Sequence, residues 1–241
     1  MEFSTFSISI PGKKSPANRS ENQDRVLCRT LDVNGSQGVL LVVADGITSC
    51  PFGGSVARWI VERHLAQDSF PFAEGQDPAD SLRSYLNQLH KDFYVEFAAP
   101  GMEGFLDSGA TLSVALLHHA VAACLWAGDS PIYLSRRTAV GYETELITTP
   151  DHDPHGRLRN CFGAGSPFNL RHRHLSLACG DVITITSDGL SIDEYTLSHI
   201  YQENGVSTAT LEQMVHLSAR GHFWDELSVV ASQGQSKMNI Q

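Results

Sequence analysis

Three apolar stretches of this chain end in an aspartate. VLLVVADG (39–46) closes on Asp45-Gly46, VAACLWAGDS (121–130) on Asp129, and DVITITSDGL (181–190) on Asp188-Gly189. Val, Ile, Leu and Thr dominate these stretches, the composition of β-strands made for a dry interior. A carboxylate closing such a strand is costly unless it reaches water, a partner or a cation. Taken singly, each reads more readily as a turn, because Asp-Gly is among the commonest turn signals. Three of them, each at the end of a buried strand, point to a shared site.

The rest of the chain supplies the frame. Strand patterns fall at 3–10, 25–31, 38–44, 109–118, 120–127, 131–135, 142–148, 173–178, 181–187 and 226–232. Most are short and separated by turn residues, which favours antiparallel sheets. Helical patterns cover 53–67, 78–97, 192–203 and 207–220. In the second, Leu82, Leu86, Leu89, Phe93 and Phe97 form one apolar stripe, a core face, behind an Asp77-Pro78 start. Ser191 and Glu194 have capping-box spacing, and Gly205 and Gly221 sit where helices end. Strands, two helices, a strand-rich block, two helices and a last strand give an α+β chain. Two antiparallel sheets packed face to face with helices outside both, a four-layer α-β-β-α sandwich, bury every apolar face. At 241 residues the chain is expected to be a single domain spanning 1–241.

Composition narrows the chemistry. With 17 Lys and Arg against 27 Asp and Glu, the formal charge is −10, which disfavours non-specific nucleic-acid binding. No apolar run approaches the ~20 residues that span a bilayer, and no basic start precedes a long apolar stretch, so neither membrane segment nor signal peptide is expected. The five cysteines include no C-x-x-C pair and read as reduced thiols of a cytoplasmic protein. His118-His119 and His172/His174 lack neighbouring cysteines, so no zinc site is expected. FGGSVAR (52–58) and CFGAGSP (161–167) lack P-loop or dinucleotide spacing.

Two more acids flank strands: Asp24 in RSENQDRV and Asp225 in WDELSVV. Strands of one sandwich deliver their ends to a common rim, where unpaired carboxylates repel. A hard divalent cation, Mg²⁺ or Mn²⁺, resolves that conflict with oxygen ligands, and the carbonyl of Gly46 can serve as one more. Two cations about 3.5–4 Å apart could share a water and lower its pKa for attack on a phosphoryl or acyl centre. The planar fork of Arg19 would suit a phosphate.

The ordered set resembles the metal-dependent serine/threonine protein phosphatases of the PP2C family, in a compact, bacterial-type form. The matching pieces are RSENQD (19–24), VVADG (42–46), SGATLSVALL (108–117), WAGDSPIYLSR (126–136), TTPDHD (148–153), CGDVITITSDGL (179–190) and DELSVVAS (225–232), in the family's order. The resemblance implies hydrolysis of phosphoserine and phosphothreonine by metal-activated water, with no covalent phosphoenzyme. It places Asp45 and the Gly46 carbonyl on two central ions, Asp188 and Asp225 on the second, and Asp129 on a weaker third. Arg19 would hold the substrate phosphate, and Asp24 would bond metal-coordinated water or approach the ions. Arg19, Asp24 and Asp45 are thus the catalytic candidates. The implied partners are phosphorylated proteins and a cognate serine/threonine kinase, met by a cytoplasmic monomer.

The departures from the family are specific. ITSCPFGGSVAR (47–58) replaces its Gly-rich segment, and Ile47 stands where eukaryotic members place a histidine proposed as general acid. GDSP replaces GDSR, DELS brings Glu226 beside Asp225, and almost nothing separates PDHD (150–153) from CFG (161–163), where a flap is common. The losses of GDSR, of DN-x-T at DELS and of the flap motivate the alternative of a catalytically weak or inactive module that binds phosphoproteins or a kinase. A third reading is hydrolysis of small phosphoesters.

Overall fold

The computed structural model describes residues 2–10, 22–65, 76–165, 168–190, 192–219 and 227–235. In chain order the strands begin with β1 (Glu2–Ile10), β2 (Arg25–Val33), β3 (Ser36–Ala44), β4 (Gly109–Ala110), β5 (Leu112–His118) and β6 (Val121–Ala127). They continue with β7 (Ile132–Thr138), β8 (Gly141–Leu146), β9 (Phe162–Gly163), β10 (Arg171–Ser176), β11 (Val182–Thr186) and β12 (Leu227–Gln235). One sheet has the order β1-β12-β11-β7-β8 and the other β10-β6-β5-β3-β2, with every neighbour antiparallel. The helices are α1 (Gly53–Arg58), α2 (Pro78–Phe97), α3 (Glu103–Leu106), α4 (Glu194–Asn204) and α5 (Thr208–Ala219).

Side-chain alternation along β3 shows why its sequence has no polar face. Val39, Leu41 and Val43 pack between the sheets with Ile132, Leu134, Ile183, Ile185 and Val230. Leu40, Val42 and Ala44 face the other way, onto Ile60, Leu82, Leu86 and Phe93 of the first helical layer. The second helical layer packs Leu197, Ile200, Tyr201, Leu211 and Met214 against Val182, Val229 and Ala231. The result is the expected α-β-β-α sandwich. All five apolar residues of the α2 stripe are buried, each contributing about 1.5–3 kcal/mol. The Asp77 side chain caps the helix by accepting from the Ala79 N–H at 2.7 Å.

Three local expectations are revised. The 109–118 strand breaks at Thr111, whose N–H donates to the Asp45 carbonyl at 2.8 Å while Gly109-Ala110 pairs with β9. The first helix passes into a π-helix over Trp59–Leu65, whose wider turns keep Trp59, Ile60, Val61 and Leu65 buried. The cap of α4 is Asp193, in extended conformation, accepting from the Thr196 N–H at 2.7 Å; Glu194 is the first helical residue instead of a capping-box partner. Ser191 and Gly221 lie outside the described residues. Gly205 ends α4 at φ +66, its N–H donating to the Tyr201 carbonyl. Among the described residues, no helix is long and apolar enough to cross a membrane.

Candidate active site

Antiparallel pairing decides which strand ends meet. Arg25 is opposite Ala44, so Asp24, just before β2, reaches the same edge as Asp45, just after β3. Leu112 is opposite Ala127, which brings the start of β5 and the end of β6, with the Asp129 turn, to that edge as well. In the other sheet, Thr186 at the end of β11 is opposite Val229 near the start of β12.

Hydrogen bonds join these ends into one rim. The Asp45 N–H donates to Thr111 Oγ1 at 3.3 Å, and Thr111 Oγ1 lies 2.7 Å from Ser130 Oγ. Ser113 Oγ donates to the Ser130 carbonyl at 2.7 Å. The next residue, Pro131, accepts from the Thr186 N–H at 3.1 Å, crossing into the strand that ends at Asp188. Ser187 and Ser228 then exchange two bonds, N–H to carbonyl and N–H to Oγ, both at 3.0 Å. Ser228 Oγ meets Ser9 Oγ at 2.8 Å, and Asn22 Nδ2 donates to that Ser9 oxygen at 2.8 Å. Asn22 Oδ1 finally accepts the Asp24 N–H at 2.9 Å. The segments bearing Asp24, Asp45, Asp129 and Asp188 are thus strung along one path. Asp225, two residues before β12, and Arg19 lie outside the described residues.

The four described acids differ in setting. Asp24 and Asp45 are buried, at 2% and 8% exposure, whereas Asp188 is exposed. The Asp129 side chain is 14% exposed, and its Oδ2 lies 2.6 Å from His152 Nε2. Two buried acids brace turns. Asp151 Oδ2 accepts from the Gly128 N–H at 3.2 Å and from Asn160 Nδ2 at 2.7 Å, and Oδ1 pairs with Arg171, holding the Gly128-Asp129 turn from beneath. Asp181, which precedes β11, accepts from the Ala178 and Arg137 N–H groups and from the Arg136 guanidinium.

Glycine sets the floor. A Cβ on Gly46 would lie 2.5 Å from both Gly53 C and Gly54 N. One on Gly53 would lie 2.5 Å from the Ile47 carbonyl oxygen, and one on Gly54 3.0 Å from the Gln23 Cα. The glycines of PFGG therefore let the start of α1 touch both Asp-bearing loops, a close approach that only residues lacking a Cβ allow. By its spacing this segment is no phosphate loop, and nothing in the sequence marks Thr111, Ser130, Asn22, Asp151 or His152 individually. Ile47 contributes its N–H to the Gly109 carbonyl at 3.0 Å and has no side-chain proton to give.

Among the described residues the rim offers carboxylates and a backbone carbonyl, with the His152 imidazole on Asp129, and such oxygen donors fit a hard cation such as Mg²⁺ or Mn²⁺. Among the described residues, no group of three or more His, Cys, Asp and Glu side chains is spaced to hold an ion; Asp225 is not among them.

The sequence matches the family described as Protein phosphatase 2C over residues 12–229. Among curated proteins no match is found. Among solved structures, the chain is similar to the S. agalactiae serine/threonine phosphatase, with a TM-score of 0.79 and 15% identity over 97% of this chain and 100% of that one. The Mycobacterium tuberculosis phosphatase PstP/Ppp gives 0.76 and 19%, covering 97% and 99%. The PstP catalytic domain has also been solved in complex with two manganese ions. PppA, a key regulatory component of the T6SS in Pseudomonas aeruginosa, gives 0.70 and 26%, covering 97% and 98%.

Proposed function

We propose that this chain, which belongs to the protein phosphatase 2C family, hydrolyses phosphoserine and phosphothreonine in cytoplasmic phosphoproteins, with Mg²⁺ or Mn²⁺ at the rim. The observation that supports this most directly is the hydrogen-bond path from Asp45 through Thr111, Ser130, Pro131 and Ser228 to Asp24, which gathers acids from both sheets.

In this reading Asp45, the Gly46 carbonyl, Asp188 and Asp225 hold two central ions, and Asp129 serves a weaker third. When bound, the ions lower the pKa of a shared water and neutralise charge on the phosphoryl oxygens. The chain's own residues do the positioning. Thr111 fixes the backbone of Asp45, so the carboxylate starts from a defined place. Asp24, buried at the same edge, orients water by accepting its proton in a hydrogen bond. Arg19 forks onto two phosphoryl oxygens and aligns phosphorus for in-line displacement. Ile47 has no proton to give, so the departing serine or threonine oxygen takes its proton from water at the rim. A cognate kinase would supply the phosphorylated substrate to this monomer.

The second reading is a regulatory module without turnover. GDSP, DELS and the short link between PDHD and CFG favour it, and the similar chain PppA is a regulatory component of its system. The deciding experiment measures hydrolysis of a small aryl phosphate with Mn²⁺, with EDTA, and in Asp45→Asn. Hydrolysis that needs Mn²⁺ and Asp45 is expected; equal rates in all three conditions reject the enzyme. Absence of Mn²⁺ binding by calorimetry, with phosphopeptide binding intact, selects the regulatory module.

A further inference from the structure

Phe52 sits beside the candidate active site and is not buried by it. Its neighbour Gly53 packs on Gly46 and Ile47, where a Cβ would come within 2.9 Å of the Gly46 carbonyl carbon. Phe52 as a whole is 41% exposed, although its neighbour Gly53 sits in so crowded a contact. It is nevertheless held firmly. The Phe52 N–H donates to Ser108 Oγ at 3.0 Å, and that hydroxyl donates to the Gly104 carbonyl at 2.6 Å. The ring lies flat on Phe105, with centroids 4.5 Å apart and planes 3° apart, and Phe105 lies on Phe97 at 4.6 Å and 6°. A Cβ on residue 104 would strike the Phe52 ring at 2.7 Å, so glycine there keeps the stack flat.

The stack leads somewhere. Phe105 and Phe97 also floor a groove of about 470 Å³ together with Trp59 and Met102. Its lining charges are balanced: Arg63 pairs with Glu96, and Arg58 lies 3.8 Å from Glu62, which also pairs with Arg25. A groove with an apolar floor and neutralised edges favours an apolar occupant over a charged one. Residues 151–160 fold back on themselves, Asp153 N–H to Arg157 carbonyl at 2.8 Å, and brace the Asp129 turn.

We propose that Phe52 and the groove beyond Phe105 form a subsite for an aromatic side chain of the phosphorylated substrate, about two to four residues from the phosphoresidue. An extended chain advances about 3.3 Å per residue, so such neighbours lie about 7–13 Å from the phosphoresidue, and Phe52 directly precedes Gly53, which packs on Gly46. Aromatic rings prefer offset stacking on a fixed partner, and such contacts dominate small interfaces. This subsite rests on the hydrolase reading above.

The test uses the full chain and two phosphoserine peptides identical except for Phe or Gly at the scanned flanking positions. The readout is the ratio of kcat/KM for the Phe peptide to that for the Gly peptide. Wild type is expected to favour the Phe peptide about tenfold at its best position, through KM. Phe52→Ala brings the ratio to about one, and Phe52→Trp restores it, which also shows that the fold survives substitution. Tyr195→Ala, an exposed aromatic on α4, leaves the ratio at its wild-type value. No preference in wild type, or a preference that survives Phe52→Ala, overturns the subsite. Concentration-dependent dimers abolished by Phe52→Ala also overturn it, assigning the face to a second copy. Should neither peptide be hydrolysed, the hydrolase reading falls, and the same ratio is read from binding by fluorescence anisotropy, where equal affinities overturn the subsite as well.

Discussion

Substituting Gly46 with alanine tests whether the backbone contact at the rim serves the site or only the packing. The added Cβ would lie 2.5 Å from Gly53 C, 2.5 Å from Gly54 N and 2.8 Å from Gly53 O. Carbon atoms in contact settle at about 3.5–4.0 Å, so the two loops must part by roughly 1 Å, and no flexible side chain can move aside instead. Overpacking of this kind costs about 1–3 kcal/mol of stability. A displacement of about 1 Å at a reacting centre costs on the order of a hundredfold in rate. Gly35→Ala is the control: Gly35 has φ +81 and nothing within 4 Å of a Cβ, so alanine there brings only backbone strain, about 1–2 kcal/mol. Urea unfolding should therefore show similar losses for the two variants. Mn²⁺ affinity by calorimetry and aryl phosphate turnover should fall about a hundredfold in Gly46→Ala alone. If Gly46→Ala keeps its Mn²⁺ affinity and turnover at the level of Gly35→Ala, the glycine contact is structural and the placement of the ions at Gly46 is refuted.

Thr111→Val keeps the shape but leaves the Asp45 N–H and the Ser130 hydroxyl without this partner, costing about 2–4 kcal/mol in urea unfolding; a change under about 0.5 kcal/mol would show that these bonds contribute no stability. Burial holds the His90 imidazole below its ordinary pKa, among Tyr94, Phe162 and Phe168. The unfolded imidazole gains a proton as pH falls through about 6.5 while the folded one resists, so this contribution is complete above that pH and lost below it. His90→Leu should accordingly narrow the drop in Tm between about pH 7.5 and about pH 5.5, and an unchanged drop refutes the assignment. Asp181→Ala should cost about 3 kcal/mol and leave Mn²⁺ affinity intact, while Asp188→Ala should do the reverse, both read by unfolding and calorimetry.

Periodicity made the layers legible before any coordinates. Leu82, Leu86, Leu89, Phe93 and Phe97 repeat at helical spacing and are all buried, and the unbroken apolar run of β3 required cover on both faces. What escaped the sequence depends on contacts between distant segments. The break at Thr111 comes from its pairing with Asp45, 66 residues away. The glycines of PFGG show no purpose until Gly46 and Gln23 are seen against them. Asp193 and Ser191 are equally good caps by composition, and the bond from the Thr196 N–H to the Asp193 side chain is what assigns the cap.

The carboxylates show the same limit most sharply. Asp181 and Asp188 occur seven residues apart at opposite ends of one strand, both inside the stretch CGDVITITSDGL. In the structure Asp181 is enclosed by the Ala178 and Arg137 amides and the Arg136 guanidinium, so its charge is already answered within the protein. Asp188 is exposed at the rim, next to Ser187, which ties β11 to β12. Asp151 is answered in the same way by Gly128, Asn160 and Arg171, directly beneath Asp129. An acid whose acceptor positions are filled by the protein shapes the turn around it, as Asp151 does beneath Asp129, which itself meets His152. Burial of both sheets sets this contrast: a strand covered on two faces meets water only at its ends, so the acids of β11 lie beyond them, answered by the protein at Asp181 and exposed at Asp188.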